Sequence, residues 1–459
     1  MTRSERPRPL SGFPEWLPAE RLVEQEVEGR LRRTFELAGF APLETRAVEP
    51  LAQLLRKGEI DKEVYVVRRL HADDESPGGG GSDDALALHF DLTVPFARYV
   101  LENAGHLEFP FRRYQIQKAW RGERPQEGRY REFRQADIDV VGRDTLAFHH
   151  DVEIAQVMAE ALSGLPVPPI TMQLNNRRLI EGFYQGLGVE DVGAVMRAVD
   201  KLDKIGPEGV RAILVEQEGV SSAVAAACLD LAAIVTPDSS FVDRVRALGV
   251  RSDLLDTGLQ ELAEVVDGAA EAASDRVTVT ADLRIARGLD YYTGTVYETR
   301  MQGFESLGSI CSGGRYDSLA TDGRTTYPGV GISFGVTRTL GPLFARGLVA
   351  ASRPTPTCVL VAVPDEEQRP ACQQVARTLR AHGVPTEVSP TAAKYGRQIR
   401  YAERRGIPFV WFPGAATQSG VDEVRDIRVA EQLPAVAGEW LPPEADREIS
   451  IVARAAPAG

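Results

Sequence analysis

For a chain of 459 residues this one is poor in cysteine and histidine. Its four cysteines, Cys228, Cys311, Cys358 and Cys372, form no CxxC pair, and six histidines do not complete a zinc set. The one clustered pair, His149-His150, reads as ordinary surface or core rather than as a metal site. Long apolar runs are missing as well: nothing approaches a membrane span, and Met1 to Pro9 lacks the apolar segment of a signal peptide. The expected address is cytosolic, with no membrane partner. Nor is positive charge in excess. A formal net charge of -13 argues against a wholesale nucleic-acid coating, although a local patch can still bind phosphate. What is present, 43% apolar and 26% charged residues, is the composition of a soluble globular protein. The length predicts a large domain with smaller appendages rather than one core.

The cations are concentrated. Phe111 to Gln135 holds eight Arg or Lys against three Glu, which marks where an anion should go. Two alternating runs flank a loop rich in Gly, Pro and charge, predicting an antiparallel pair with a long connection. Along the returning strand Arg129, Arg131, Phe133, Gln135, Asp137 and Asp139 share one face. Guanidiniums beside a flat ring suit a nucleotide, because Arg pairs with phosphate oxygens bidentately and the ring can stack on a base. The bland alternative is an exposed, salt-bridged hairpin. Upstream, Ala85 to Thr93 alternates like a strand and brings Asp91 and Thr93 to one face. There a carboxylate and a hydroxyl could take an ammonium group; equally, an Asp at a strand end can cap a following helix. Downstream, Arg287-Gly-Leu-Asp-Tyr-Tyr-Thr-Gly-Thr-Val-Tyr-Glu298 places a cation four and five residues before two phenols, and by itself reads equally as a surface ion pair and a strand.

Elsewhere the pattern gives scaffold. Leu17 to Ala38 is a long amphipathic helix ended near Gly39, and Phe40 to Val48 and Glu63 to Arg68 read as strands. His71 to Asp84, with four consecutive glycines, reads as a flexible hairpin tip or insertion without catalytic role. Residues 170–275 are rich in Ala, Val, Leu and Glu at helical spacing. Near Ala351 to Thr357 the composition turns to linker, after which strand, helix, strand, helix, strand predicts a small α/β unit.

Arg121-Gly-Glu-Arg-Pro with Gly128-Arg-Tyr-Arg-Glu-Phe133, Gln135 and Asp139 resembles motif 2 of the class II aminoacyl-tRNA synthetases. Asp91-Leu92-Thr93, the Arg287 stretch and Cys311-Ser-Gly-Gly-Arg-Tyr-Asp317 resemble the histidine-specific signatures of the histidyl-tRNA synthetase family, and Gly329 to Thr339 is similar to motif 3. The wording around Asp91 is closest to the eukaryotic and archaeal branch. The resemblance covers most of the chain, in family order. It implies an α+β fold: a class II synthetase antiparallel sheet flanked by helices, with a helical insertion and a C-terminal α/β anticodon-binding domain. The implied domains are a catalytic domain in two parts (1–169 with motifs 1 and 2, 276–350 with the histidine motifs and motif 3), the insertion at 170–275 and the anticodon-binding-like domain at 356–459.

The implied activity is ATP-dependent activation of L-histidine to histidyl-adenylate, then transfer to tRNA(His), by a homodimer with magnesium bridging the phosphates. By resemblance Arg121 and Arg287 are catalytic cations at the α-phosphate. Glu123, Arg131, Phe133 and Arg338 join Arg121 around ATP. Asp91, Thr93 and Gln135 take the α-ammonium, Asp139 and Tyr292 face the imidazole, Tyr291 helps form the wall, and Leu92 also belongs to the histidine site. Four positions depart from the family wording: Thr45-Arg46 replaces a Thr-Pro of motif 1, Ser11 to Trp16 replaces a Lys-Gly-Thr-Arg-Asp type of loop, His89 replaces an Arg, and Thr337-Arg338-Thr339 replaces Glu-Arg-Leu. Two rival readings are a histidine-sensing regulatory paralogue of ATP phosphoribosyltransferase and a synthetase-like enzyme that passes histidine to an acceptor other than tRNA.

Overall fold

The computed structural model describes residues 8–55, 63–69, 85–285, 291–414 and 420–453. They form two compact units, one spanning Glu28–Pro342 with the N-terminal stretch to Pro14, the other Leu343–Gly459 with Glu15–Val27.

The larger unit is built on a mixed sheet of nine described strands. Its lateral order is Ala41–Pro42, Phe111–Trp120, Glu132–Val141, Thr326–Gly335, Cys311–Thr321, Thr295–Met301, Ile170–Asn176, Val277–Asp282 and Val235–Thr236. The middle six pair antiparallel, as expected; parallel pairs occur between Ala41–Pro42 and Phe111–Trp120, and between Ile170–Asn176 and Val277–Asp282. Alternation along the returning strand divides the faces. Ala136, Ile138 and Val140 are wholly buried. Helix His149–Ser163 packs on this side of the sheet, and residues of that parity from Thr295–Met301, Thr295 and Tyr297, bond to its Asp151. Gln135, Asp137 and Asp139 are left to face the other way.

Residues 170–275 do not begin as a helix. Ile170–Asn176 is a full strand of the sheet, and helices start at Arg177, which Asn176 caps by accepting from Arg178 N at 2.8 Å. Helices Arg177–Gly186 and Asp253–Glu271 cross closely where Gly182 and Gly258 meet backbone; a Cβ on Gly258 would lie 2.6 Å from Leu179 Cα.

Other expectations shift locally. The first helix runs Pro18–Leu37, with Gly39 at φ +80° after it. The strand expected over 40–48 splits: Ala41–Pro42 joins the large sheet, whereas Val48–Pro50 pairs with Leu86–Leu88 in a separate three-stranded sheet that also holds Val66–Val67. The 85–93 strand ends at Leu88, and Thr93 instead opens helix Thr93–Asn103, with Pro95 tolerated in its first turn. His89, at the turn between them, is buried with its ring nitrogens 3.2 and 2.6 Å from the carbonyls of Arg46 and Lys118. The glycine-rich 71–84 segment lies outside the described residues.

The smaller unit has the parallel strands Thr386–Val388, Val359–Val361 and Phe409–Phe412, linked by helices Arg369–Ala381 and Tyr395–Arg405, as the α/β pattern predicts. An antiparallel pair, Glu423–Asp426 and Glu431–Pro434, extends the sheet beyond that pattern. Its core centres on Trp411, whose indole N–H donates to Asp422 at 2.9 Å. Among the described residues, no helix is long and apolar enough to cross a membrane.

Candidate active site

Strand register lines up polar residues that are far apart in the chain. Gln115, Asp137, Ser333, Ser312, Glu298 and Gln173 are successive lateral partners, forming one polar row across six strands. The next row on the same face is Arg113, Asp139, Gly331, Gly314, Val296 and Asn175. The row on the other side holds Gln117, Gln135 and Gly335. This floor carries both halves of the site.

At its edge an open cleft of about 590 Å³ is lined by Arg121, Glu123, Arg129, Phe133, Gln135 and Arg338, with Ser309, Ser312, Ser333 and Gly335 beneath. The Arg121 guanidinium lies 5.1 Å from the centre of the Phe133 ring, and its Nε donates to Phe90 O at 3.0 Å. Glu123 faces the same cations, 3.2 Å from Arg129 Nη1 and 4.0 Å from Arg121 Nη1. Arg338, near the start of helix Val336–Ala345, donates to the carbonyl of Leu307. Cations around a flat ring over small residues can bind phosphates and a planar base.

Further in, Asp139 is 3% exposed and doubly engaged. Arg113 Nη2 lies 2.7 Å from its Oδ2, and the Tyr316 hydroxyl donates to its Oδ1 at 2.8 Å. Arg113 is wholly buried, with its guanidinium 4.3 Å from the centre of the Phe96 ring. Tyr291 stacks on Tyr316 at 5.7 Å and meets Tyr292 edge-on at 5.1 Å. Burial, and then the surrounding carboxylates, push the Tyr292 phenol well above its usual value, so it stays a protonated donor. Glycine clears the space: a Cβ on Gly331 would lie 2.5 Å from Asp139 Cγ, and one on Gly314 would lie 2.7 Å from Tyr292 Cγ. Burial raises the Asp137 carboxyl to about 7, against the pull of Arg113. An acid and a phenol in a dry pocket can hydrogen-bond two ring nitrogens and reject ligands that leave them unpaired.

Of the residues expected at the site, Arg121, Glu123, Phe133, Gln135 and Arg338 line the cleft together. Buried Asp91 and Asp139 adjoin the half-buried Tyr291 and Tyr292, and both carboxylates act electrostatically on the two phenols. The capping foreseen for Asp91 is present, its Oδ1 accepting from Val94 N at 3.0 Å, on a carboxylate that belongs to this group. Leu92 is wholly buried and Thr93 half-buried at the helix start, so the shared strand face expected for Asp91 and Thr93 is absent. Arg131 is not part of the cleft lining. The returning strand begins only at Glu132, and the Arg131 guanidinium turns back to Glu123 O at 3.1 Å. Arg287 lies outside the described residues. The sequence pattern places Asp137 on the shared face without a role and gives none to Arg113, Tyr316 or Ser333; the hairpin register, which sets Arg113 opposite Asp139, is the signal that finds the first.

A family model described as histidyl-tRNA synthetase matches residues 12–339, and one described as anticodon binding domain matches 357–437. The histidine--tRNA ligase of Cutibacterium acnes is 58% identical over 451 residues, covering 97% of this chain and 98% of that protein. That of Micrococcus luteus is 59% identical over 444 residues, covering 95% and 96%. Among solved structures, the histidyl-tRNA synthetase from Nostoc sp. PCC 7120 superposes with a TM-score of 0.82 at 33% identity, covering 95% of this chain and 98% of that one. The fold is that of a class II synthetase with a C-terminal anticodon-binding domain. The chain belongs to the histidyl-tRNA synthetase family. These relatives are bacterial, and the eukaryotic and archaeal branch suggested by the wording around Asp91 finds no support in them.

Proposed function

We propose that the chain activates L-histidine with ATP to histidyl-adenylate and transfers the histidyl group to tRNA(His). The observation that carries this reading is the buried Asp139, held by Arg113 and Tyr316 on a glycine-cleared floor directly beside the arginine- and phenylalanine-lined cleft. A histidine carboxylate is already ionised at neutral pH, so attack on the α-phosphorus needs positioning and charge stabilisation rather than a strong base. Arg121 takes the α-phosphate and the attacking carboxylate, Phe133 stacks on adenine, and Glu123 meets the adenine amino group or orders the loop. Arg338 holds the far phosphates. Asp91, Thr93 and Gln135 take the α-ammonium, and Asp139 with Tyr292 reads the imidazole beside Tyr291. Arg287 remains, by family resemblance, a second cation for the α-phosphate.

Among the described residues no group of three or more His, Cys, Asp or Glu could hold a metal. Magnesium, implied by the family resemblance, would bridge the ATP phosphates through acidic groups and offset their charge. The proposed division of the chain is catalytic 1–169 and 276–350, insertion 170–275 and anticodon-binding 356–459, in a cytoplasmic homodimer.

Histidine-dependent ATP–pyrophosphate exchange followed by charging of tRNA from the source organism tests the reading. Exchange with charging is the expected result. Absence of exchange favours the regulatory paralogue, against which the anticodon-binding segment and the intact arginines speak; exchange without charging favours another acceptor. Arg287→Ala should slow exchange far more than it weakens histidine binding, and an unchanged exchange rate would remove that role.

A further inference from the structure

Behind Gln135 on the floor stand two side chains without a role in the reaction described above, Ser333 and Asp137. Gln135 donates from Nε2 to Ser333 Oγ at 2.6 Å. Ser333 is the lateral partner of Asp137 on the same face, and its hydroxyl acts on the Asp137 carboxyl, whose Oδ1 is buried without a hydrogen-bond partner among the described residues. Gln135 Oε1 is buried without a hydrogen-bond partner among the described residues, on a side chain that lines the cleft. An amide can present either end, and a hydroxyl can donate in either direction. An ionised carboxylate can only accept. Placed beside Ser333, it favours the hydroxyl proton turned towards it, which leaves the serine lone pairs for Gln135 Nε2 and the amide oxygen for the pocket.

Resting on the proposed function, we propose that Asp137 is a positioning residue for the amino-acid substrate: through Ser333 it orients Gln135 so that Oε1, not the NH₂ group, meets the ammonium. Uptake of a cationic ammonium beside Asp91, Asp137 and Asp139, with Arg113 as their nearest buried cation, also favours the ionised form of Asp137. The remaining groups that interact with Asp137 are Ser333, the Tyr292 phenol and, from the other face of the sheet, the Cys311 thiol.

Exchange kinetics with varied histidine test this. In Asp137→Asn the amide can donate to Ser333 and reverse the chain. The KM for histidine should rise about tenfold or more at pH 8, the size of one lost hydrogen bond to a charged group, with a smaller change in the KM for ATP and in kcat. Wild-type KM should rise as pH falls through about 7, a limb that Asp137→Asn lacks; comparison of the two removes the titration of histidine itself. Ser333→Ala, which keeps Asp137, should act in the same direction and decides the matter if Asp137→Asn does not fold. In a Gln135→Glu background, where either oxygen accepts, the cost of Asp137→Asn should shrink. An unchanged histidine KM with an unchanged pH profile, or a full cost in the Gln135→Glu background, overturns the relay. Failure of wild-type exchange overturns the proposed function instead.

Discussion

Arg315, on the sheet face that helix His149–Ser163 covers, closes on Asp151 with Nη2 2.7 Å from Oδ2 and Nε 3.1 and 3.3 Å from the two carboxylate oxygens. Thr295 Oγ1 adds a third donor at 2.7 Å, and Arg315 Nη2 also reaches the carbonyls of Leu146 and Ala147. Both side chains are almost wholly buried. Removing one partner strands the other's charge, so Arg315→Leu should cost about 3–5 kcal/mol in denaturant unfolding. Because Gly314 and Tyr316 flank Arg315, histidine KM should rise with it. A loss below about 1 kcal/mol would show that the pair is not holding the strand.

Gly331→Ala puts a methyl group 2.5 Å from Asp139 Cγ and 2.7 Å from Ile138 O. Neither neighbour can retreat, since Asp139 is pinned by Arg113 and Tyr316. We expect kcat/KM for histidine to fall by about 100-fold or more, with a lower Tm, an overpacking cost of roughly 1–3 kcal/mol. Near-wild-type exchange would mean that the amino acid does not sit over this floor.

Arg121 and Phe133 are both half-exposed, so their loss should spare the fold. Arg121→Ala is expected to reduce exchange by roughly 100-fold or more through lost charge stabilisation. Phe133→Ala should mainly raise the KM for ATP, by about tenfold, the order of one base-stacking contact. Circular dichroism and steady-state exchange on the two variants separate these effects.

All four cysteines are buried, and burial pushes every thiol up: Cys358 to about 11, Cys228 to about 12, with Cys311 and Cys372 in the same direction. Thiolate is the reactive form. The native protein should therefore show no fast reaction with a chromogenic disulfide at pH 8 and release four thiols on unfolding. A rapidly titrating thiol in the native state would contradict this packing.

Asp137 carries its carboxyl raised from 3.8 to about 7 by burial. Between those values the folded state binds a proton that the unfolded state has released, so stability contributed below pH 3.8 is lost as pH rises through about 7. Asp137→Asn should accordingly gain Tm relative to wild type as the pH is raised from 5 to 8. A constant difference across that range would place the carboxyl at its ordinary value.

Much of this was legible in the sequence because it is local. Alternation over 111–120 and 132–141 specifies the hairpin, and that alone puts Phe133, Gln135 and Asp139 on one face and Ala136, Ile138 and Val140 on the other. The helix–strand pattern after residue 356 likewise follows from period and composition. Local pattern misled where a single turn interrupts it. Thr93 left the expected strand because Asp91 caps a helix there, and Arg131 left the shared face because the strand starts one residue later.

What only tertiary structure decided is lateral register. Asp139 gains Arg113 across a hairpin but Tyr316 from 177 residues away, and Ser333 reaches Gln135 over 198 residues. No periodicity within one strand specifies which residue of a distant strand lies beside it. That choice belongs to the packing of the whole sheet, which buries the apolar parity under helices and thereby brings the acids, phenols and glycines of the other parity into one pocket.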